Sequence, residues 1–240
     1  MILYPAIDIK DGKCVRLKQG KFDDITTYYE NPFEAATLWK EGGADYIHIV
    51  DLDGALEGVS KNIDVIGKIA SKIDVPVQVG GGIRSVEAAK ALLESGVSRF
   101  IVGTIAIKDR ELLKNMVEQF GDKVVVGIDA KDGKVAIDGW ENVSSKDSLE
   151  LAKELQEMGV NTIVYTDISK DGMMSGPNFE VYEMLKKELS LQVIASGGVS
   201  SIDDLKKLND IGVDGAIIGK ALYNGAIDFK EAKKIVEVMG

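Results

Sequence analysis

Two aspartates stand where apolar runs end. Met1-Ile2-Leu3-Tyr4-Pro5-Ala6-Ile7 leads into Asp8, and Val124-Val125-Val126-Gly127-Ile128 leads into Asp129. Each acid is followed by a similar phrase, Lys10-Asp11-Gly12-Lys13 in the first case and Lys131-Asp132-Gly133-Lys134 in the second. Two carboxylates on opposite sides of one substrate can serve as general acid and general base if their surroundings push their pKa values apart. The competing reading is that each aspartate caps its own Asp-Gly turn, which Asp11 and Asp132 could equally do.

Glycine clusters form a second pair of signals. Gly80-Gly81-Gly82-Ile83-Arg84-Ser85 matches Ser196-Gly197-Gly198-Val199-Ser200-Ser201, and Gly103-Thr104 matches Gly219-Lys220, in each case at an offset of 116 residues. Glycines let backbone N–H groups approach an anion closely, and a helix N-terminus adds a favourable dipole. The paired clusters are therefore two candidate phosphate cradles, implying a long bis-phosphorylated ligand. Alternatively, the glycines only make tight turns. A cation at a helix start is mildly unfavourable, which favours a functional role for Arg84 and Lys220.

These residues need a scaffold. Short Val/Ile-rich runs fall at 2–7, 46–50, 75–79, 100–102, 124–128, 162–165, 191–195 and 215–218. They are continuous rather than alternating, as expected of parallel strands covered on both faces. Amphipathic segments between them predict helices over 32–41, 62–72, 86–95, 109–120, 148–158, 178–189, 205–211 (opened by 201–204) and 228–239. Asn31-Pro32, Ser85 and Ser201 supply start signals, the last in capping-box style. Strict alternation of eight strands and eight helices points to an α/β fold, either a closed (β/α)8 TIM barrel or an open doubly wound sheet. Val50-Asp51 also repeats as Thr166-Asp167 at the same offset of 116, whereas Asp8 and Asp129 are 121 apart. The first four strands thus repeat as the last four, which a barrel of two half-barrels satisfies. No linker or low-complexity segment interrupts the chain, so one domain over residues 1–240 is expected.

Barrel chemistry sits at the C-terminal ends of the strands, and phosphate commonly binds after strands seven and eight. That location holds Ser196, Gly197, Gly198, Gly219 and Lys220. His48 lies within the second strand as a core residue or a substrate contact. Thr166 ends the sixth strand and could bond a reacting sugar or merely fill the strand. Trp140, in the loop after the fifth strand, could stack on a heteroaromatic ring or pack the loop. Asp171-Gly172-Met173-Met174-Ser175-Gly176-Pro177 suits a lid, with Asp171 and Gly176 as candidate contacts. Trp39 and Cys14 read as packing residues.

Composition narrows the partners. A net charge of −10 argues against broad nucleic-acid binding. Backbone amides can still hold phosphate. One cysteine permits no internal disulfide, which points to a reducing compartment such as the cytoplasm. One histidine rules out a His-rich metal site. No apolar run has the length of a membrane span, and neither a signal peptide nor a membrane association is expected.

With these residues in hand, the chain resembles the phosphoribosylformimino-aminoimidazole carboxamide ribotide isomerases of histidine biosynthesis. The resemblance runs end to end. It is carried by Pro5-Ala6-Ile7-Asp8-Ile9-Lys10-Asp11-Gly12, His48-Ile49-Val50-Asp51-Leu52-Asp53-Gly54-Ala55 and Gln78-Val79-Gly80-Gly81-Gly82-Ile83-Arg84. It continues in Asp138-Gly139-Trp140, Tyr165-Thr166-Asp167-Ile168-Ser169-Lys170-Asp171-Gly172 and Ala195-Ser196-Gly197-Gly198. Met173-Met174 departs from the Thr-Leu common in the family. The resemblance implies an Amadori rearrangement of an aminoaldose to an aminoketose, with a phosphate at each end of the substrate. Asp129 would match the general acid that opens the ribose ring, and Asp8 the base that takes the proton from sugar C2. It implies no metal, no organic cofactor and no obligate protein partner. Two related activities remain open: a bifunctional isomerase that also takes phosphoribosylanthranilate, and the sister cyclase, a lyase that works with a glutaminase. The cyclase characteristically carries Cys-Leu-Asp where Ala6-Ile7-Asp8 stands here. A non-enzymatic phosphate-ligand sensor would need the glycine cradles but not the two acids.

Overall fold

The computed structural model describes residues 1–18, 21–137, 139–140 and 142–239, with backbone only at 18 and 21–24. Asp138, part of one motif quoted above, lies outside the described residues. The chain opens with β1 (Ile2–Lys10), β2 (Lys13–Lys18), β3 (Lys21–Tyr29) and α1 (Pro32–Glu41). There follow β4 (Ile47–Asp51), α2 (Leu52–Glu57), α3 (Ile63–Lys72), β5 (Val77–Gly80), α4 (Val86–Glu94), β6 (Arg99–Val102), α5 (Ile105–Lys108) and α6 (Arg110–Phe120). The second half runs β7 (Val124–Lys131), β8 (Lys134–Ile137), β9 (Asn142–Asp147), α7 (Ser148–Glu157), β10 (Thr162–Asp167) and α8 (Phe179–Glu188). It ends with β11 (Gln192–Ser196), α9 (Ile202–Ile211), β12 (Gly215–Ile218), α10 (Lys220–Tyr223) and α11 (Phe229–Met239).

Eight of these strands pair in parallel in the circular order β1-β4-β5-β6-β7-β10-β11-β12, and β12 returns to β1. The sheet is closed, as in a (β/α)8 barrel, and the open alternative is excluded. Because side chains alternate with period two, each strand divides its residues between two cores. Leu3, Ile7, Ile47, Ile49, Val124, Val126, Ile163 and Ile218 face outward into the layer shared with the helices. Tyr4, Ala6, Val125, Val164, Ile194 and Ile217 fill the barrel interior. Both clusters are apolar, which is why the strands read as continuous runs.

The expected helices are present. Asn31 caps α1 through Phe33 N–H, with Pro32 in the first turn. Ser85 and Ser201 cap α4 and α9, and Asp204 completes a capping box at the second. The loops after the first and fifth barrel strands differ from expectation. β1 and β7 do not stop at their aspartates but run on and fold back as antiparallel pairs with β2 and β8. Both reversals use Asp-Gly with positive φ at both positions, 50° and 73° at Asp11-Gly12, and 51° and 74° at Asp132-Gly133. That is the chemistry of a tight two-residue hairpin. The strict alternation is further broken by the short helices α2, α5 and α10, which begin directly after β4, beside Thr104 and at Lys220.

Gly82 and Gly12 share φ +73°, yet their surroundings differ. A Cβ at Gly82 would lie 1.9 Å from the Gly54 carbonyl oxygen, whereas nothing lies within 4 Å at Gly12. Gly82→Ala is expected to lower stability by about 2–4 kcal/mol and Gly12→Ala by about 1 kcal/mol. Denaturant unfolding of the two variants checks this; equal losses would mean that backbone conformation alone explains the glycine at 82.

Candidate active site

Asp8 sits on the inner face of β1, two residues beyond Ala6, and is in register with Val50 of β4 and Val15 of β2. Asp129 sits on the inner face of β7, in register with Thr166 of β10, which in turn pairs with Ser196 of β11. In the closed order, β1 and β7 are four strands apart in either direction. The two acids therefore face each other across the C-terminal mouth.

Their neighbours differ. Arg16, on β2, donates from Nη1 to Asp8 Oδ2 at 2.8 Å, with the two side chains 16% and 14% exposed. Burial pushes the Asp8 carboxyl up, and the guanidinium only partly pulls it back, so the carboxyl remains raised. Arginine keeps its proton in proteins, so Asp8 always faces a fixed positive charge. Asp129 instead accepts the indole N–H of Trp140 at 2.9 Å and a hydrogen bond from Thr166. Burial raises its carboxyl, and these two neutral donors only partly offset that. Trp140 holds φ +75°, a conformation that bulky residues rarely adopt, and from it the indole reaches the acid. Asp171 adds negative charge that pushes up both carboxyls.

The glycine clusters lie at the ends of β5–β6 and β11–β12, again opposite pairs of strands. Gly81, Gly82, Gly197 and Gly198 all have positive φ. Their backbones press against the preceding loops: a Cβ at 81 would be 2.2 Å from Asp51 O, and one at 198 would be 2.5 Å from Gly176 O. Close loop packing thus requires these glycines whether or not an anion binds. A cleft over β11 and β12 is lined by Arg16, Asp171, Ser196, Gly197, Gly198 and Lys220. Gly176 donates its N–H to Gly198 O at 3.1 Å, and Lys220 reaches Gly172 O at 3.1 Å, so the 171–177 loop is tied to this cradle. On the opposite side Gly103 is exposed and Thr104 precedes α5. Arg84 is exposed, donates to Ala55 O at 3.1 Å and packs over Gly58. His48 is level with Ala6 and Gln78, one layer beneath the acids, and bonds Gln78. Trp39 and Cys14 are buried, as packing residues would be.

Several residues escaped sequence reasoning. Arg16 is the foremost, since its guanidinium occupies the space where a Gly219 side chain would be. The alternating stretch Lys13-Cys14-Val15-Arg16-Leu17-Lys18 after Asp-Gly was the available signal. Asn62 donates to Asp51 at 2.7 Å and Asn178 to Asp167 at 2.7 Å, a pairing repeated at the offset of 116, buried in the first case and half-buried in the second. Asn62 also accepts the Gly12 N–H at 3.0 Å, and Asp53 accepts that of Asp11 at 2.7 Å, anchoring the β1–β2 turn. No cluster of three or more His, Cys, Asp or Glu suited to a metal ion occurs among the described residues. No helix there is long and apolar enough to cross a membrane.

The family described as "Histidine biosynthesis protein" matches residues 2–228. This chain belongs to that family. Among its curated relatives, a protein of Clostridioides difficile (strain 630) is 58% identical over 235 residues, covering 98% of each chain. One from Thermoanaerobacter pseudethanolicus is 52% identical over 237 residues, covering 99% of this chain and 100% of the relative. One from Thermodesulfovibrio yellowstonii is 50% identical over 238 residues, covering 99% and 98%. All three are named 1-(5-phosphoribosyl)-5-((5-phosphoribosylamino)methylideneamino)imidazole-4-carboxamide isomerase.

Burial raises both carboxyls, but only Asp8 has a counter-ion, so removing the two charges should change stability in opposite directions. Burial raises the folded pKa of Asp129 above its unfolded value. The associated stability is present below the ordinary carboxylate range and is lost as pH rises through the folded pKa. Asp129→Asn should therefore be more stable than the parent at neutral pH, the difference vanishing below about pH 4. Asp8→Asn leaves the Arg16 charge without its counter-ion and should lower stability by about 1–3 kcal/mol. Unfolding curves across pH for both variants check this; shifts of the same sign at neutral pH would contradict it.

Proposed function

We propose that this chain is an aldose–ketose isomerase of histidine biosynthesis. It performs an Amadori rearrangement of the N'-(5'-phosphoribosyl)formimino-5-aminoimidazole-4-carboxamide ribonucleotide aminoaldose to its aminoketose. The observation that carries the reading is a pair of half-buried, unlike carboxylates on opposite strands, set between opposed glycine cradles. The line joining the cradles crosses the line joining the acids. A bis-phosphorylated substrate spanning the mouth would lie with its reacting sugar between Asp8 and Asp129. The names of the relatives support the same reaction.

One phosphate binds at Gly81, Gly82, Arg84, Gly103 and Thr104, and the other at Gly176, Ser196, Gly197, Gly198, Gly219 and Lys220. Backbone N–H groups supply most of the anion contacts, so the protein's overall charge of −10 is no obstacle. Asp129 protonates the ribose ring oxygen and opens the ring to a Schiff base. Asp8 then removes the proton from sugar C2, giving an enolamine that tautomerises to the ketose. The neighbours support this division of labour. A desolvated carboxyl held by two neutral donors favours its protonated form, as an acid needs. Burial raises the Asp8 carboxyl too, but there a full positive charge, the Arg16 guanidinium, opposes the rise and favours the ionised form that a base needs. Trp140 and Thr166 orient the acid, His48 contributes from beneath, and Asp171 approaches from the loop that would close over the substrate. The chain acts as one barrel domain, in the cytoplasm, without metal, organic cofactor, nucleic acid or obligate protein partner.

The decisive assay offers purified protein the aminoaldose bis-phosphate, phosphoribosylanthranilate, and the cyclase substrate with ammonia. Turnover of the first is expected; its absence overturns the proposal. Asp8→Asn and Asp129→Asn should each lose turnover by two or more orders of magnitude while still binding substrate, because the phosphates are held elsewhere. Near-normal turnover in either would remove that residue from the mechanism. Trp140→Phe deletes a donor that lowers the Asp129 pKa. The alkaline limb of its kcat/KM profile should therefore move to higher pH, since the acid keeps its proton longer; a shift to lower pH would contradict the role of Asp129 as the acid.

A further inference from the structure

Beneath the acids, a row of polar side chains crosses the barrel interior, and the mechanism above leaves most of it unused. Arg99, at the start of β6, donates from Nε to Gln78 Oε1 at 2.9 Å and from Nη2 to the Tyr4 hydroxyl at 2.8 Å. Its guanidinium also stacks 4.6 Å from the centre of the Tyr46 ring. Gln78, fully buried on β5, joins its Nε2 to His48 Nδ1 at 3.0 Å. Four barrel strands thus contribute one connected chain, from Tyr4 through Arg99 and Gln78 to His48.

The donor and acceptor inventory leaves this chain one arrangement. Arginine has only donors, so the Gln78 oxygen must face Arg99 and the Gln78 amide NH2 must face His48. A donor facing Nδ1 requires that nitrogen to be the acceptor. The proton of a neutral imidazole then sits on Nε2. The imidazole is neutral, because burial, reinforced by the charges of Arg16 and Arg99, pushes it down to about 3. His48 is 8% exposed, and Nε2 is its ring nitrogen without a described hydrogen-bond partner.

We infer that Arg99 and Gln78 are positioning residues that lock His48 as the Nε2–H tautomer, a fixed neutral hydrogen-bond donor offered from the barrel interior to an acceptor oxygen of the substrate. His48 in this state cannot act as the base at Nε2. It leaves proton abstraction to Asp8 while contributing a donor in a site of low dielectric, where a preset dipole is most effective. What that donor meets rests on the isomerase reading of the mouth; the tautomer itself does not.

His48 is the only histidine in the sequence, so its imidazole nitrogens can be read without assignment ambiguity. Long-range 1H–15N spectra of the uniformly labelled, tag-free full chain at neutral pH are expected to show a protonated Nε2 and an unprotonated Nδ1. A protonated Nδ1, or an imidazolium, overturns the inference. Gln78→Glu places an acceptor opposite Nδ1 and should move the proton to Nδ1; retention of the Nε2–H form overturns the role of Gln78. If Gln78→Glu does not fold, the parent spectrum still decides the tautomer. In a folded Gln78→Glu enzyme, KM should rise about tenfold, the worth of one neutral hydrogen bond, with kcat little changed. The spectra need no substrate, so a parent protein that shows the Nε2–H form but turns over no aminoaldose would fail the isomerase reading alone.

Discussion

The period-two alternation of side chains along a strand, closed into a barrel, governs every functional position in this chain. Tyr4, Ala6 and Asp8 share one face of β1, and Val125, Gly127 and Asp129 share one face of β7. A register slip of one residue would turn both acids into the apolar layer beneath the helices, where a carboxylate has no partner. Register is held from outside by Leu3, Ile7, Val124 and Val126, which are buried against the helices. The outward core thus fixes the inward chemistry.

A closed sheet also explains why two related half-barrels can hold two different acids. The repeat gives Asp8 and Asp129 equivalent places, and the hairpins that follow them make those places unlike. After β1 the fold-back brings in Arg16; after β7 the loop brings in Trp140. Asp51 with Asn62 and Asp167 with Asn178 keep the symmetry elsewhere, as do Ser85 and Ser201 at their helix starts. Symmetry is preserved where backbone must be held and is lost where charge must be tuned. The Tyr4–Arg99–Gln78–His48 row is a further departure, since Val164 stands at the position of the second half that corresponds to His48.

Much of this architecture was legible because its signals are local. Continuous apolar runs, caps at Asn31, Ser85 and Ser201, and glycines at fixed offsets follow from short-range physics. They led to eight parallel strands, to the two strand-borne acids and to the repeated glycine clusters. The hairpins were half legible: Asp-Gly announced the turns, but the strands after them alternate polar and apolar residues and do not resemble the buried runs. Arg16 was missed for that reason. Asn62 and Asn178 were read only as helix starts. Their side chains instead bind aspartates at strand ends 11 residues earlier in the chain, and no local pattern reports that.

The sequence by itself determined which residue types reach the barrel mouth, since strand period and strand order depend on neighbours along the chain. It also determined that both acids occupy equivalent positions on repeated strands. Only the tertiary structure decided what each acid meets there. A carboxylate's pKa depends on burial and on charges within a few ångströms, and these come from residues that share no strand with it. Asp8 and Asp129 are alike in the chain and unlike in the fold because one faces a guanidinium and the other an indole and a hydroxyl.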